Sequence, residues 1–102
     1  MVNNLIFDGV VREKTPTRMY LDEAGRRHQE CTILVETDDE YPQQLAVRLA
    51  DEEEPNAPEL GEAVRCYLYL RAHKAVNGIW YNEIIAYGIV KESYGLTKVK
   101  ET

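Results

Sequence analysis

From residue 63 to residue 74 the chain reads AVRCYLYLRAHK, and its odd positions carry Arg65, Tyr67, Tyr69, Arg71 and His73 with no acid in the segment. Alternate residues of a strand share one face, so this spacing would set cations and phenol rings in a single row. The chemistry of such a row is non-covalent. A ring offers its face to a planar partner, and a guanidinium holds an anion through a fork of N–H donors. The next segment, IWYNEIIAYGIVK, carries a matching row of Ile79, Tyr81, Ile85 and Tyr87, with Glu83 among them. A second cluster, Arg18, Tyr20, Arg26, Arg27 and His28, lies far upstream.

Covalent chemistry has little to work with. The one serine, Ser93, lies near the C-terminus, His28 and His73 stand beside no evident nucleophile, and no glycine-rich phosphate loop follows a strand. Cys31 and Cys66 sit inside apolar alternating stretches with neither Cys-x-x-Cys nor Cys/His metal spacing, which predicts reduced core residues and no zinc site. Adjacent carboxylates such as Asp38-Asp39 and Asp51-Glu52 fall in turns crowded with other acids, where nothing suggests burial or a raised pKa. The expectation is a non-catalytic protein without metal or cofactor.

The formal net charge is −6, which by itself opposes a polyanionic ligand. Its distribution removes the objection. Residues 36–62 hold ten acids against Arg48 alone, whereas the rest of the chain holds eight acids and eleven bases. The acidic 36–62 side is expected to be a solvated face or the surface for a protein partner. With 102 residues and 44% hydrophobic composition the chain suits one small soluble domain. No apolar run approaches the roughly 20 residues of a membrane span, and MVNNLIFDGVV lacks the basic start and cleavage site of a secretory signal. A cytoplasmic location, without membrane contact, is the expectation.

Five segments alternate with period two and are rich in Val, Ile, Leu and Tyr: LIFDGVVRE, QECTILVET, QQLAVRLA, AVRCYLYLRAHK and IWYNEIIAYGIVK. Thr17 to Leu21, followed by the turn residues Asp22-Glu23-Ala24-Gly25, predicts a long hairpin arm between the first two. Asn77-Gly78 predicts a two-residue type I′ turn between the last two. The connection DEEEPNAPELG holds two prolines and allows one helical turn at most. Alternation assigns inward positions to Phe7, Gly9, Val11, Cys31, Ile33, Val35, Leu45, Val47, Leu49, Val64, Cys66, Leu68, Leu70, Ile84 and Ala86, with Trp80 near the rim. That number of side chains fills a small barrel. The fold expected is all-β, a five-stranded OB-fold barrel over residues 1–92 with little or no helix between strands three and four, and a C-terminal tail at 93–102.

On such a barrel the arm and the loop between the last two strands flank the usual oligonucleotide groove. The expected nucleic-acid contacts are therefore Arg18, Tyr20, Arg26, Arg27, His28, Arg48, Lys74 and Trp80, with tyrosine stacking on bases and cations on phosphates. Arg65, Tyr67, Tyr69, Arg71, Tyr81, Ile85 and Tyr87 are expected to form a homo-oligomer interface, a setting in which Tyr and Arg are enriched. The apolar density of strand five implies that it is covered on both faces.

The order of several motifs resembles short bacterial OB-fold proteins of unassigned function related to single-stranded-DNA-binding proteins. The resemblance rests on Phe7 to Val11, the Ala24-Gly25 turn, Ile33 through Thr37, Tyr41-Pro42, Gly61 before Val64, and Asn77-Gly78 followed by Trp80, Tyr81 and Asn82, with Ala86 further on. The run Tyr81-Asn82-Glu83-Ile84 is also similar to the last strand of general bacterial single-stranded-DNA-binding proteins. The resemblance implies a barrel that binds single strands, DNA rather than RNA. The chain departs from the group in its short, acidic, proline-broken connection between strands three and four.

Overall fold

A computed structural model describes residues 4–51 and 53–91. Its strands are β1 (Leu5–Lys14), β2 (Arg18–Leu21), β3 (Arg27–Glu36), β4 (Gln44–Ala50), β5 (Ala63–Lys74) and β6 (Trp80–Lys91). They form one sheet in the order β1-β5-β6-β4-β3-β2, and an added pairing of β1 with β3 closes it into a barrel. β2 is the arm predicted from residues 17–21, so the barrel wall itself has five strands. On its other side the wall closes through one parallel residue pair, Arg48 of β4 with Ile85 of β6.

The core follows from alternation. Val11, Cys31, Ile33, Val35, Val47, Leu49, Val64, Cys66, Leu68 and Ala86 are buried together, and Phe7, Leu45, Ile84 and Ile89 pack partly against them. Both cysteines are buried thiols outside any disulfide, and burial pushes the Cys31 thiol above its ordinary pKa. Gly9 sits where β1 crosses the end of β3. A β-carbon there would lie 2.4 Å from the Glu36 carbonyl oxygen, so only glycine lets the two backbones come this close.

The proline-broken connection makes a single 3₁₀ turn, Glu54–Asn56. After it, Ala57 packs on the core and Pro58 is fully buried.

Three features differ from the expectation. Leu70 is 46% exposed, because the β5–β6 hairpin runs on past the barrel. The turn joining β5 and β6 is not type I′: Gly78 N–H donates to Ala75 O at 2.9 Å, Ala75 N–H donates to Ile79 O, and Gly78 is left-handed at φ 84° while Asn77 is not. This is the three-residue hairpin loop that ends in a left-handed glycine, and Asn77 Oδ1 serves it by accepting from Ile79 N–H at 3.0 Å. Finally, the β5–β6 register shifts between Tyr67 and Leu68, whose partners are Gly88 and Ala86, so Tyr87 is a bulge. Past the bulge the faces exchange, and Ile89 turns to the core while Val90 faces outward.

Candidate nucleic-acid interface

The outward positions of β3 and β4, the inner side of the arm and one side of the β5–β6 hairpin surround an open groove of about 590 Å³. Thr15, Arg18, Tyr20, Glu30, Arg48, Arg71, His73 and Glu83 carry its chemistry. The register explains the convergence. Arg18 lies opposite Glu30 and Tyr20 opposite His28 on the arm, Thr32 opposite Arg48 on the wall, and Arg71 opposite Glu83 on the hairpin. Cross-strand partners share a face, so three separate sheet regions deliver their polar side chains to one place.

These side chains form a chain of alternating charge. Arg18 Nη1 is 3.4 Å from Glu30 Oε1, Arg48 Nε is 2.5 Å from Glu30 Oε2, Arg48 Nη1 is 3.5 Å from Glu83 Oε2, and Arg71 Nη2 donates to the same oxygen at 2.8 Å. Arg48 also donates from Nη2 to the Tyr20 hydroxyl at 3.3 Å. Partial burial disfavours the charge on Arg48, but its bond to Glu30 together with the charges of Glu30 and Glu83 outweighs this and raises its pKa. Arg71 holds the Glu83 carboxyl below its ordinary value. Arg48 is thus a positioning residue that ties the arm, the wall and the hairpin together. Arg18 and Arg71, both exposed and each held by one carboxylate, are the cations a ligand can reach.

The ring of Tyr20 stacks on His28 with centroids 5.2 Å apart, and the Arg18 guanidinium carbon lies 5.3 Å from the Tyr20 centroid. His28 is held on both sides, Nε2 at 2.8 Å from Asp22 Oδ2 and Nδ1 at 2.9 Å from Asp51 Oδ1. The two carboxylates raise its pKa, and His28 with the turn backbone lowers that of Asp22. His28 therefore braces Tyr20 and the arm.

The structure splits the residues expected to meet nucleic acid. Arg18, Tyr20 and Arg48 line the groove and His28 stands behind it, while Arg26 lies in the arm turn and Arg27, opposite Leu21, lies on the arm's other face with Met19. Lys74 and Trp80 pair with each other on the far side of the hairpin, with Lys74 Nζ 5.7 Å from the Trp80 centroid. The tyrosine row splits as well. Arg71, expected at an oligomer interface, joins the groove, and Tyr81, opposite His73, shares that side of the hairpin.

Tyr67, Tyr69 and Tyr87 gather on the barrel's outer face, Tyr87 lying 6.3 and 6.2 Å from the other two rings. Arg65 beside them donates from Nε and Nη2 to Asp8 at 2.8 and 2.9 Å. Ile85 is 5% exposed, flanked by its partners Tyr69 and Arg48, and leaves almost no surface for another chain. The last strand is covered on both faces only at its middle, Ile85 and Ala86, and Ile85 is covered from within the chain, while Trp80, Tyr81, Tyr87 and Val90 stay exposed. Sequence reading missed Glu30, His73 and Glu83 as groove residues; the signal available was their parity with Arg48 and Arg71 across the register. Among the described residues no group of three His, Cys, Asp or Glu side chains could hold a metal ion, and no helix is long and apolar enough to cross a membrane.

No protein-family model matches the sequence, and neither does any curated protein. Solved structures do resemble it. The second OB-fold domain of replication protein A from Methanococcus maripaludis superimposes with a TM-score of 0.64 at 15% identity, over 89% of this chain and 83% of that one. Rim1, a mitochondrial single-stranded DNA binding protein from S. cerevisiae, gives 0.62 at 7% identity, over 89% and 96%. The protein priB from Ralstonia solanacearum gives 0.58 at 12% identity, over 89% and 99%. With the barrel closure, the strand order and these superpositions in agreement, the chain is an OB-fold protein.

Proposed function

We propose that the chain is a non-catalytic module that binds single-stranded nucleic acid, DNA in preference to RNA, in the groove between the arm and the β5–β6 hairpin. The observation that carries this reading is the convergence of Arg18, Arg71, His73 and Tyr20 on one open groove of about 590 Å³. Arg18 and Arg71 meet phosphates, and Tyr20, backed by His28, offers a stacking face. The fold likeness to a protein named for single-stranded DNA binding supports it. The site excludes duplexes by its chemistry, since stacking on a ring needs an unpaired base.

Fluorescence anisotropy of labelled oligo-dT tests it. Binding should weaken with salt, with a slope of about −0.7 per phosphate contacted. A flat signal at low salt would refute the reading.

A second reading rests on the outer face of β1, β5 and β6. There Ile6 and Val90 are exposed beside Tyr67, Tyr69 and Tyr87, forming an apolar and aromatic patch. In this reading the patch joins two copies of the chain, and the acidic 36–62 side meets a basic protein. Light scattering discriminates: a stable oligomer indifferent to oligonucleotides favours it over the first.

A further inference from the structure

The β5–β6 hairpin has two faces, and the groove takes only one. Alternation puts Arg71, His73, Tyr81 and Glu83 on the groove side and Leu70, Ala72, Lys74, Trp80 and Asn82 on the other. The second face carries no carboxylate. From residue 63 to residue 82 the chain has no acid at all, so both the route over the hairpin tip and the far face are open to a polyanion. At the end of that route stands the chain's one tryptophan, 64% exposed, with Lys74 beside its ring.

Resting on the groove reading above, we propose that a bound single strand leaves the groove past His73, turns around the hairpin, and stacks a base on Trp80 with Lys74 at the adjoining phosphate. Three observations select nucleic acid as the occupant. The face is continuous with the groove through a hairpin only one sheet thick. Its charge is solely positive. Its aromatic group is an indole with an attendant cation, the pairing that suits a base and its phosphate together. The consequence is a contact that depends on ligand length. OB folds cover about 4–16 nucleotides, and strands near the lower limit fill the groove alone while those near the upper limit reach Trp80.

The single tryptophan makes the test specific, because intrinsic emission reports this face and nothing else. Oligo-dT probes spanning about 4 to 16 nucleotides would be titrated into the full chain. Labelled probes would be followed by anisotropy and unlabelled ones by tryptophan emission. Short probes should raise anisotropy with emission unchanged, and long probes should also change the emission. Trp80→Ala should lower affinity for the longest probe about tenfold and leave the shortest within about twofold. Lys74→Glu should act in the same direction, whereas Arg71→Glu should weaken both. Long probes that bind without touching Trp80 emission overturn the inference and spare the groove. So does a Trp80→Ala effect equal for short and long probes. If Trp80→Ala changes the molar mass in light scattering while oligonucleotide affinities stay constant, the face belongs to a protein partner and the inference fails. If no probe binds, the groove reading falls first and takes this one with it.

Discussion

His28 Nδ1 and Asp51 Oδ1 lie 2.9 Å apart and fasten the arm to the end of β4. The other ring nitrogen, Nε2, faces Asp22 at 2.8 Å. A neutral imidazole has one N–H and one lone pair, so it can donate to only one of two carboxylates. Both bonds form only when the ring is protonated.

The clasp is therefore pH-dependent, with a definite sign. His28 has its folded pKa raised above 6.5, so its contribution is fully present below about 6.5 and is lost as pH rises through the higher folded value. Asp22 has its pKa lowered, so its contribution is present above the ordinary carboxylate value and is lost as pH falls through the folded one. Thermal melts should show a loss of stability as pH rises above about 6.5 that His28→Asn abolishes. An NMR titration placing His28 at or below its ordinary pKa would rule the clasp out.

Gly9→Ala should destabilise the fold by about 1–3 kcal/mol, toward the upper end, because the new methyl meets the Glu36 carbonyl at 2.4 Å and Val35 Cγ1 at 2.8 Å. A backbone group cannot rotate away as a side chain can. Urea unfolding with an unchanged m-value measures it, and a loss under about 0.5 kcal/mol would mean that β1 and β3 slide apart freely.

Two arginines of β5 give a matched pair of tests. Arg71 borders the groove and Arg65 lies on the outer face against Asp8. Arg71→Glu should weaken oligo-dT binding at least tenfold and reduce the salt slope by about 0.7, whereas Arg65→Glu should leave both near wild type. Equal effects would move the binding surface off the groove.

Glu83 competes with any phosphate for Arg71, since its Oε2 already accepts from that guanidinium at 2.8 Å. Glu83→Gln removes a negative charge from the groove and should tighten oligo-dT binding several-fold at low salt, with little gain at high salt where exposed charges are screened. Filter binding at two salt concentrations reads this directly. Weaker binding would show that the carboxylate contacts the ligand itself.

The limits of the sequence reading follow from what period two encodes. It separates the faces of a strand, and it put Cys66 and Leu68 inside with Tyr67 and Tyr69 on the other side, as found. It does not say where a barrel stops, so it assigns Leu70 to the core although that residue lies beyond the rim. Nor does it register a bulge, and the extra residue at Tyr87 exchanged the faces of everything after it. The candidate site was legible in its ingredients and less so in its grouping. Arg71 and Tyr67 have the same parity, yet one borders the groove and the other the outer face. Which of the two a residue joins is decided by how β6 meets β4, a contact between segments far apart in sequence. Asn77-Gly78 correctly announced a hairpin, but with Asn77 outside the left-handed region the loop took three residues.

The pairing of Arg48 with Ile85 is the narrowest join in the wall, a zip fastened by one tooth and the ion pair from Arg48 to Glu83. Any molecule that grips β4 and the hairpin at once splints that join, so occupancy and unzipping become mutually exclusive. Amides along the β4–β6 line should then exchange slowly with solvent in the complex and quickly without it, and the barrel should survive heat longer when its cleft is filled.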